Sequence, residues 1–160
     1  MSDFGWWKES WCQQIYMAMS ENSQHNYILL TKGYGRPQTM FLWRDYDRDI
    51  ISSRQKIFLG KTVDRNNRFN DFERYDFLSI EPILEPINLE GIEYSPDIKQ
   101  VIIGAETGNR KGKVTPKKEW IDDIVKVCDK ANVRVFMKES LQSIMGKDFR
   151  QDRLIWEIKE

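Results

Sequence analysis

The sequence has little of what most metal and cofactor chemistry requires. It holds one histidine, His25, and two cysteines, Cys12 and Cys128, with no Cys-x-x-Cys pair. The usual zinc and cysteine-ligated iron–sulfur arrangements therefore cannot be built from this chain alone. No Gly-x-x-x-x-Gly-Lys-Ser/Thr, Gly-x-Gly-x-x-Gly or Gly-x-Ser-x-Gly motif occurs, and no repeat period is visible. Long apolar runs are missing too. The longest, Val101–Ala105, falls far short of the roughly 20 residues that cross a bilayer, so no membrane partner is expected. Met1-Ser2-Asp3-Phe4-Gly5 lacks a basic region leading into an apolar core, so no signal peptide is visible and the chain reads as cytoplasmic. Without export, two buried thiols are expected rather than a disulfide. Net charge is absent as well: 25 basic side chains cancel 25 acidic ones. That excludes a whole-surface basic field for nucleic acid and makes any anion binding local. Catalysis, if there is any, needs a borrowed cofactor or the carboxylates and lysines.

What is present is one ordinary domain of 160 residues, 40% hydrophobic, with nine glycines among the rest. Trp7, Trp11, Ile15 and Met19 recur at spacing four and predict an amphipathic helix over Lys8–Asn22. Short apolar runs predict strands at Tyr27–Thr31, Lys56–Val63, Phe77–Ile80, Val101–Ala105 and Val133–Met137. Helices are expected over Pro37–Arg48 and Asn66–Tyr75. Residues Ile83–Asp97, with Pro86, Gly91 and Pro96, read as a long loop holding one helical turn. Thr115-Pro116 predicts an N-cap and first helical position. Ile121, Ile124, Val125, Cys128 and Ala131 then mark one apolar helix face, ended by Asn132. The tail, Leu141–Glu160, carries weak signals of both kinds. Strands alternating with crossovers imply an α/β fold: a partial (β/α) barrel, or an open, mostly parallel sheet of about five strands flanked by helices. Apolar runs without strict alternation imply that both faces of the sheet are covered. An open sheet also has edges that its own loops or another chain must cover.

A small residue followed two positions later by a polar one ends three of these strands: Gly60-x-Thr62, Ser79-x-Glu81 and Gly104-x-Glu106. Period-two alternation puts both members of each pair on one face, with Ile80 and Ala105 on the other, toward the helices. Lys32 and Lys138 stand at equivalent strand ends. Lys32, Thr62, Glu81, Glu106 and Lys138 could therefore converge at the carboxyl edge of the sheet, where parallel folds bind ligands. Small residues one layer below would leave room for one. The competing reading is a simple Glu/Lys ion-pair network. Five basic residues in nine, Arg110, Lys111, Lys113, Lys117 and Lys118, lead into a helix N-terminus. Arg110, Lys111 and Lys113 are the phosphate-binding candidates, with a solvated loop as the plainer reading. Trp6, Trp7 and Trp11 could form an exposed patch but more often such clusters join a core. For His25 a hydrogen-bonded role outweighs catalysis.

Six phrases in order carry a resemblance: Met1-Ser2-Asp3-Phe4, Leu30-Thr31-Lys32, Leu59-Gly60-Lys61-Thr62-Val63-Asp64, Leu78-Ser79-Ile80-Glu81-Pro82-Ile83-Leu84, Ile103-Gly104-Ala105-Glu106-Thr107-Gly108 and Phe136-Met137-Lys138. With Trp120 and Cys128, they resemble a phage- and prophage-associated family of uncharacterised proteins over about residues 1 to 140. Full-length members of that family look like radical S-adenosylmethionine proteins of TIM-barrel type, whose upstream portion carries a three-cysteine motif for a four-iron cluster. The resemblance implies that Glu81, Glu106 and Lys138 stand at the carboxyl ends of barrel strands and that Asp3 follows an earlier strand. Lys61 departs from it, since the family more often has a small or apolar residue there. So does the lack of cluster cysteines. The chain looks like the carboxyl-terminal part of such a protein. No cofactor is expected in this chain, and S-adenosylmethionine and the cluster come in only if a missing N-terminal part completes it. That part, or a second copy, would cover the open sheet edge. The competing expectations are an accessory module that binds a nucleotide or nucleic-acid phosphate, and a degenerate scaffold.

Overall fold

The computed structural model describes residues 3–4, 7–32, 56–65 and 75–158. Five strands form: β1 (Asn26–Thr31), β2 (Lys56–Thr62), β3 (Phe77–Ile80), β4 (Gln100–Ile103) and β5 (Arg134–Met137). They lie side by side in chain order and every neighbouring pair is parallel. Parallel neighbours require crossover connections, and these must pack on the sheet. Between β4 and β5 the crossover is helix α2 (Lys118–Lys130), while helix α1 (Glu9–Glu21) precedes β1. The expected helix at Pro37–Arg48 lies outside the described residues, as does all of Asn66–Tyr75 except Tyr75, which is buried in irregular chain.

The apolar face read for α2 is the one that packs. Ile121, Ile124 and Cys128 are fully buried against Leu78, Ile80, Val101, Ile103, Val135 and Met137. Period-two alternation puts these six strand residues on one sheet face. Ala105 joins the same cluster. Asn132 ends the segment at φ 56°, a left-handed position that asparagine tolerates better than most residues. The helix starts later than Thr115-Pro116 implied. Lys117 is the extended residue before it, and no side chain caps it. Pro116 is buried ahead of the first turn, so the chain is still packing inward where a cap was expected.

For α1 the buried stripe is displaced by one residue from the Trp7/Trp11/Ile15 spacing. Cys12, Tyr16 and Met19 are buried with Phe4, Leu29 and Leu59, and Trp7 and Ile15 pack at the margin. Trp11 is 49% exposed, its ring beside the Lys8 ammonium at 5.4 Å. The tryptophans are thus neither a flat surface patch nor true core, and Trp6 lies outside the described residues. Both cysteines are buried free thiols. His25 is exposed, and its backbone N–H donates to the Asn22 carbonyl at 3.2 Å.

Between β3 and β4 the crossover is irregular apart from one 3-10 turn, Ile92–Tyr94, as its prolines and glycine led us to expect. It nevertheless packs as a helix would. Ile83, Ile87, Leu89, Ile92 and Ile98 are all buried in the α2 cluster, and Gly91 makes the turn at φ 97°.

The tail, which sequence signals could not order, pairs along the free edge of β5 and then crosses the second face of the sheet at the strand starts. Gln151 pairs antiparallel with Phe136, and Arg150 is locked to Asp152 and Asp129, both at 2.6 Å. The chain then runs past the strand starts. Ile155 N–H donates to the Gln100 side-chain oxygen at 3.0 Å, and Asn26 Nδ2 donates to the Trp156 carbonyl at 2.6 Å. The Trp156 ring meets Phe58 and Phe77 edge-on, at centroid distances of 6.1 and 5.3 Å.

Candidate functional site

The carboxyl ends of the strands form a polar edge on the face that the tail leaves open. The ladder continues past the strand ends: Val63 N–H donates to Ser79, Gly104 N–H to Ile80, Ile83 N–H to Gly104 and Lys138 N–H to Ile103. Ala105 N–H donates to Ser140 Oγ at 3.0 Å, tying the chain after β4 to the chain after β5. Backbone bonds therefore hold the first residue past β2, β4 and β5, and Ile83 past β3.

Five residues read as ligand-binding candidates occupy this edge, and the structure sorts them into three groups. Lys138 Nζ donates to Glu81 Oε1 at 2.6 Å, joining β3 to β5 across β4. Glu106 instead takes the Arg110 guanidinium, from Nε at 2.5 Å and Nη2 at 2.8 Å, and the Val114 N–H at 3.2 Å. Lys32 and the buried Thr62 stand on the β1 side. They line a groove of about 450 Å³ with Asp3, Phe4, Trp7, Ile28 and Leu30. No hydrogen bond joins the three groups among the described residues.

The space above the small residues is not vacant. A Cβ on Gly104 would stand 3.1–3.3 Å from Glu81 atoms, so Glu81 lies across the glycine. A Cβ on Gly60 would fall 2.1–2.6 Å from the Phe77 ring, which fills that position. The glycines thus make room for neighbouring side chains rather than for a ligand beneath the edge. Open apolar surface is found on β1 instead, where Ile28 is 45% and Leu30 42% exposed.

Electrostatics separate the two carboxylates. Arg110 and Val114 hold Glu106 down to about 2, well under its ordinary 4.5, so it stays ionised at any physiological pH. Glu81 and Lys138 are partly exposed, 31% and 46%, and an ion pair in that setting adds at most about 1 kcal/mol of stability. Among the phosphate candidates, Arg110 is committed to Glu106, while Lys111 and Lys113 are exposed. Lys118 is also engaged, by Asp122 at 2.8 Å and Asp148 at 3.1 Å.

Sequence reasoning missed two parts of this edge. Asp3 accepts from Thr31 Oγ1 at 2.5 Å and from the Lys32 N–H at 2.7 Å, fixing the chain after β1. Its only sequence signal was a place in the first family-like phrase. Arg110 was a phosphate-binding candidate, with a solvated loop as the plainer reading, and its (i, i+4) spacing from Glu106, visible in the sequence, went unused. Lys61, unusual in the resemblance, points to the α1 side, with its ammonium 5.5 Å from the Tyr75 ring.

A family model described as a protein of unknown function, DUF5131, matches residues 3–149. The chain belongs to that family. The DUF5131 match takes in every described strand and all eight candidate residues, and stops just before the tail segment that crosses the strand starts. No significant match was found among curated proteins or among solved structures. No group of three or more His, Cys, Asp or Glu side chains could hold a metal ion among the described residues. No described helix is long and apolar enough to cross a membrane.

Proposed function

We propose that this DUF5131 chain is the carboxyl-terminal part of a cytoplasmic, phage-associated radical S-adenosylmethionine-type protein. Its strand-end edge binds adenosylmethionine or the substrate. One observation carries this reading: five parallel strands in chain order, with one face packed on helices and the other crossed by the tail at the strand starts and polar at the strand ends. Ligands of parallel α/β folds sit at that end. Charges of both signs suit a zwitterion such as adenosylmethionine. Glu81 offers oxygens to an ammonium or ribose hydroxyl, Lys32 and Lys138 offer donors to a carboxylate, and Ile28 and Leu30 offer apolar surface.

The chain's own residues do not fit a four-iron cluster. Cys12 and Cys128 lie in different core clusters, and burial pushes the Cys128 thiol up to about 12, far from the thiolate a metal requires. On this reading the cluster comes with residues outside these 160, as a missing N-terminal part, and the chain alone does not turn over. A phosphate-binding role for the loop has less support, because Arg110 and Lys118 are already engaged.

Isothermal titration with adenosylmethionine tests the reading. Binding is expected, and Glu81→Ala should weaken it roughly tenfold or more, the loss of a charge-assisted hydrogen bond of about 1.5–3 kcal/mol. Absence of heat at millimolar ligand would overturn it. Salt-dependent binding of DNA in its place would favour the accessory-module alternative.

A further inference from the structure

We propose that Glu106 is a positioning residue and not a ligand contact: it folds residues 106–114 into a fixed arch beside the strand-end edge by taking the Arg110 guanidinium and the Val114 amide together. The consequence for ligand binding rests on the reading above; the arch itself does not.

Three features carry the inference. First, the carboxylate is already served. Oε1 accepts from Arg110 Nε, and Oε2 accepts from both Arg110 Nη2 and Val114 N–H. Its side chain is 14% exposed, against 31% for Glu81, so Glu81 is the carboxylate open to a ligand. Second, the partners come from the middle and the end of one loop, so a single residue closes it at two points. Arg110 Nη2 also reaches the Gly112 carbonyl at 3.4 Å. Gly108 and Gly112, at φ 85° and 76°, supply the two reversals that bring the loop back, a conformation other residues adopt only with strain. Third, the base of the arch is fixed independently, by Ala105 N–H on Ser140 Oγ. A carboxylate held ionised by these bonds has no proton to give near neutral pH, which also removes it from general acid chemistry. What Glu106 does is set the course of the loop that carries the exposed Lys111 and Lys113.

A double-mutant cycle tests this on the full chain, using Glu106→Gln, Arg110→Gln and the pair. Trypsin cleavage after Lys111 and Lys113, sites that every variant keeps, and hydrogen exchange at the Val114 amide are read without ligand, with exchange of the β4 and α2 amides as the control for folding. Each single change should speed cleavage and exchange by about tenfold, and the double change should add little to Glu106→Gln, which already weakens the Arg110 and the Val114 bonds together. Unchanged cleavage in Glu106→Gln, or effects that multiply, would overturn the arch. With adenosylmethionine as probe, Arg110→Gln should weaken binding as Glu106→Gln does, though by no more. Loss in Glu106→Gln with full binding in Arg110→Gln would make Glu106 a direct contact and overturn the positioning role. If the unaltered chain binds no adenosylmethionine, the proposed function fails, while cleavage and exchange still decide the arch.

Discussion

Two glycines, one in β2 and one just past β4, make opposite demands on their surroundings. At Gly60 an added methyl would run into the Phe77 ring, which is held in turn against Trp156, so nothing nearby can yield. Gly60→Ala is expected to destabilise the fold by about 1–3 kcal/mol, the range for an overpacked core, measurable by urea unfolding. At Gly104 the obstruction is the flexible Glu81 side chain. Gly104→Ala should cost little stability yet push Glu81 off Lys138 and weaken ligand binding; an unfolding midpoint shifted as far as that of Gly60→Ala would contradict this. Cys128, with its thiol pushed up to about 12 by burial and by Asp129, should resist alkylation at pH 8 until the chain is unfolded. Glu106 sets a pH dependence. Its folded value, about 2, lies below the ordinary 4.5, so its contribution is complete above about pH 4.5 and disappears as the pH falls through 2. The Val114 amide shift, followed by NMR on acidification, should therefore hold steady to well below pH 4; movement centred near 4.5 would show that Arg110 does not hold the carboxylate.

Elements with strong periodicity were legible, and those held by distant partners were not. The five strands and α2 stood out because each is a short apolar run or a clean helical face, and the sheet covers both. The α1 face was misread by one residue, because tryptophan counts as apolar in a pattern while its size lets it sit at a margin, as Trp11 does beside Lys8. The tail was unreadable from its own residues. Its conformation comes from Gln100, Asn26, Phe58 and Phe77, which lie 55 to 130 residues away where the contacts are hydrogen bonds. The strand-end candidates did gather at one edge, yet pairing could not be foreseen, because period two assigns a face and not a partner. Trp156→Ala tests the tail. Removing a half-buried indole from two ring contacts should cost about 2 kcal/mol, less than the 3–5 for a fully buried one. It should also speed exchange of the Ile155 and Asp152 amides, with strand-end amides unaffected.

For the whole molecule, the two ends of the sheet differ in kind. The strand starts are crossed by Trp156 and Ile155 and braced by the Arg150–Asp152–Asp129 cluster, beside a cavity of about 390 Å³ lined by Lys99, Arg134 and Arg150. Strand ends carry an ion pair worth little to stability, a loop organised by one carboxylate, and an apolar groove flanked by Lys32. The proposed binding edge is the one at the strand ends, where parallel α/β folds take their ligands. The most direct measurement is an NMR titration of the labelled chain with adenosylmethionine, following each backbone amide. The account predicts shifts gathered at Lys32, Thr62, Glu81, Gly104 and Lys138. Shifts gathered at the strand starts, around Lys99, Asn132 and Arg134, or none at millimolar ligand, would contradict it.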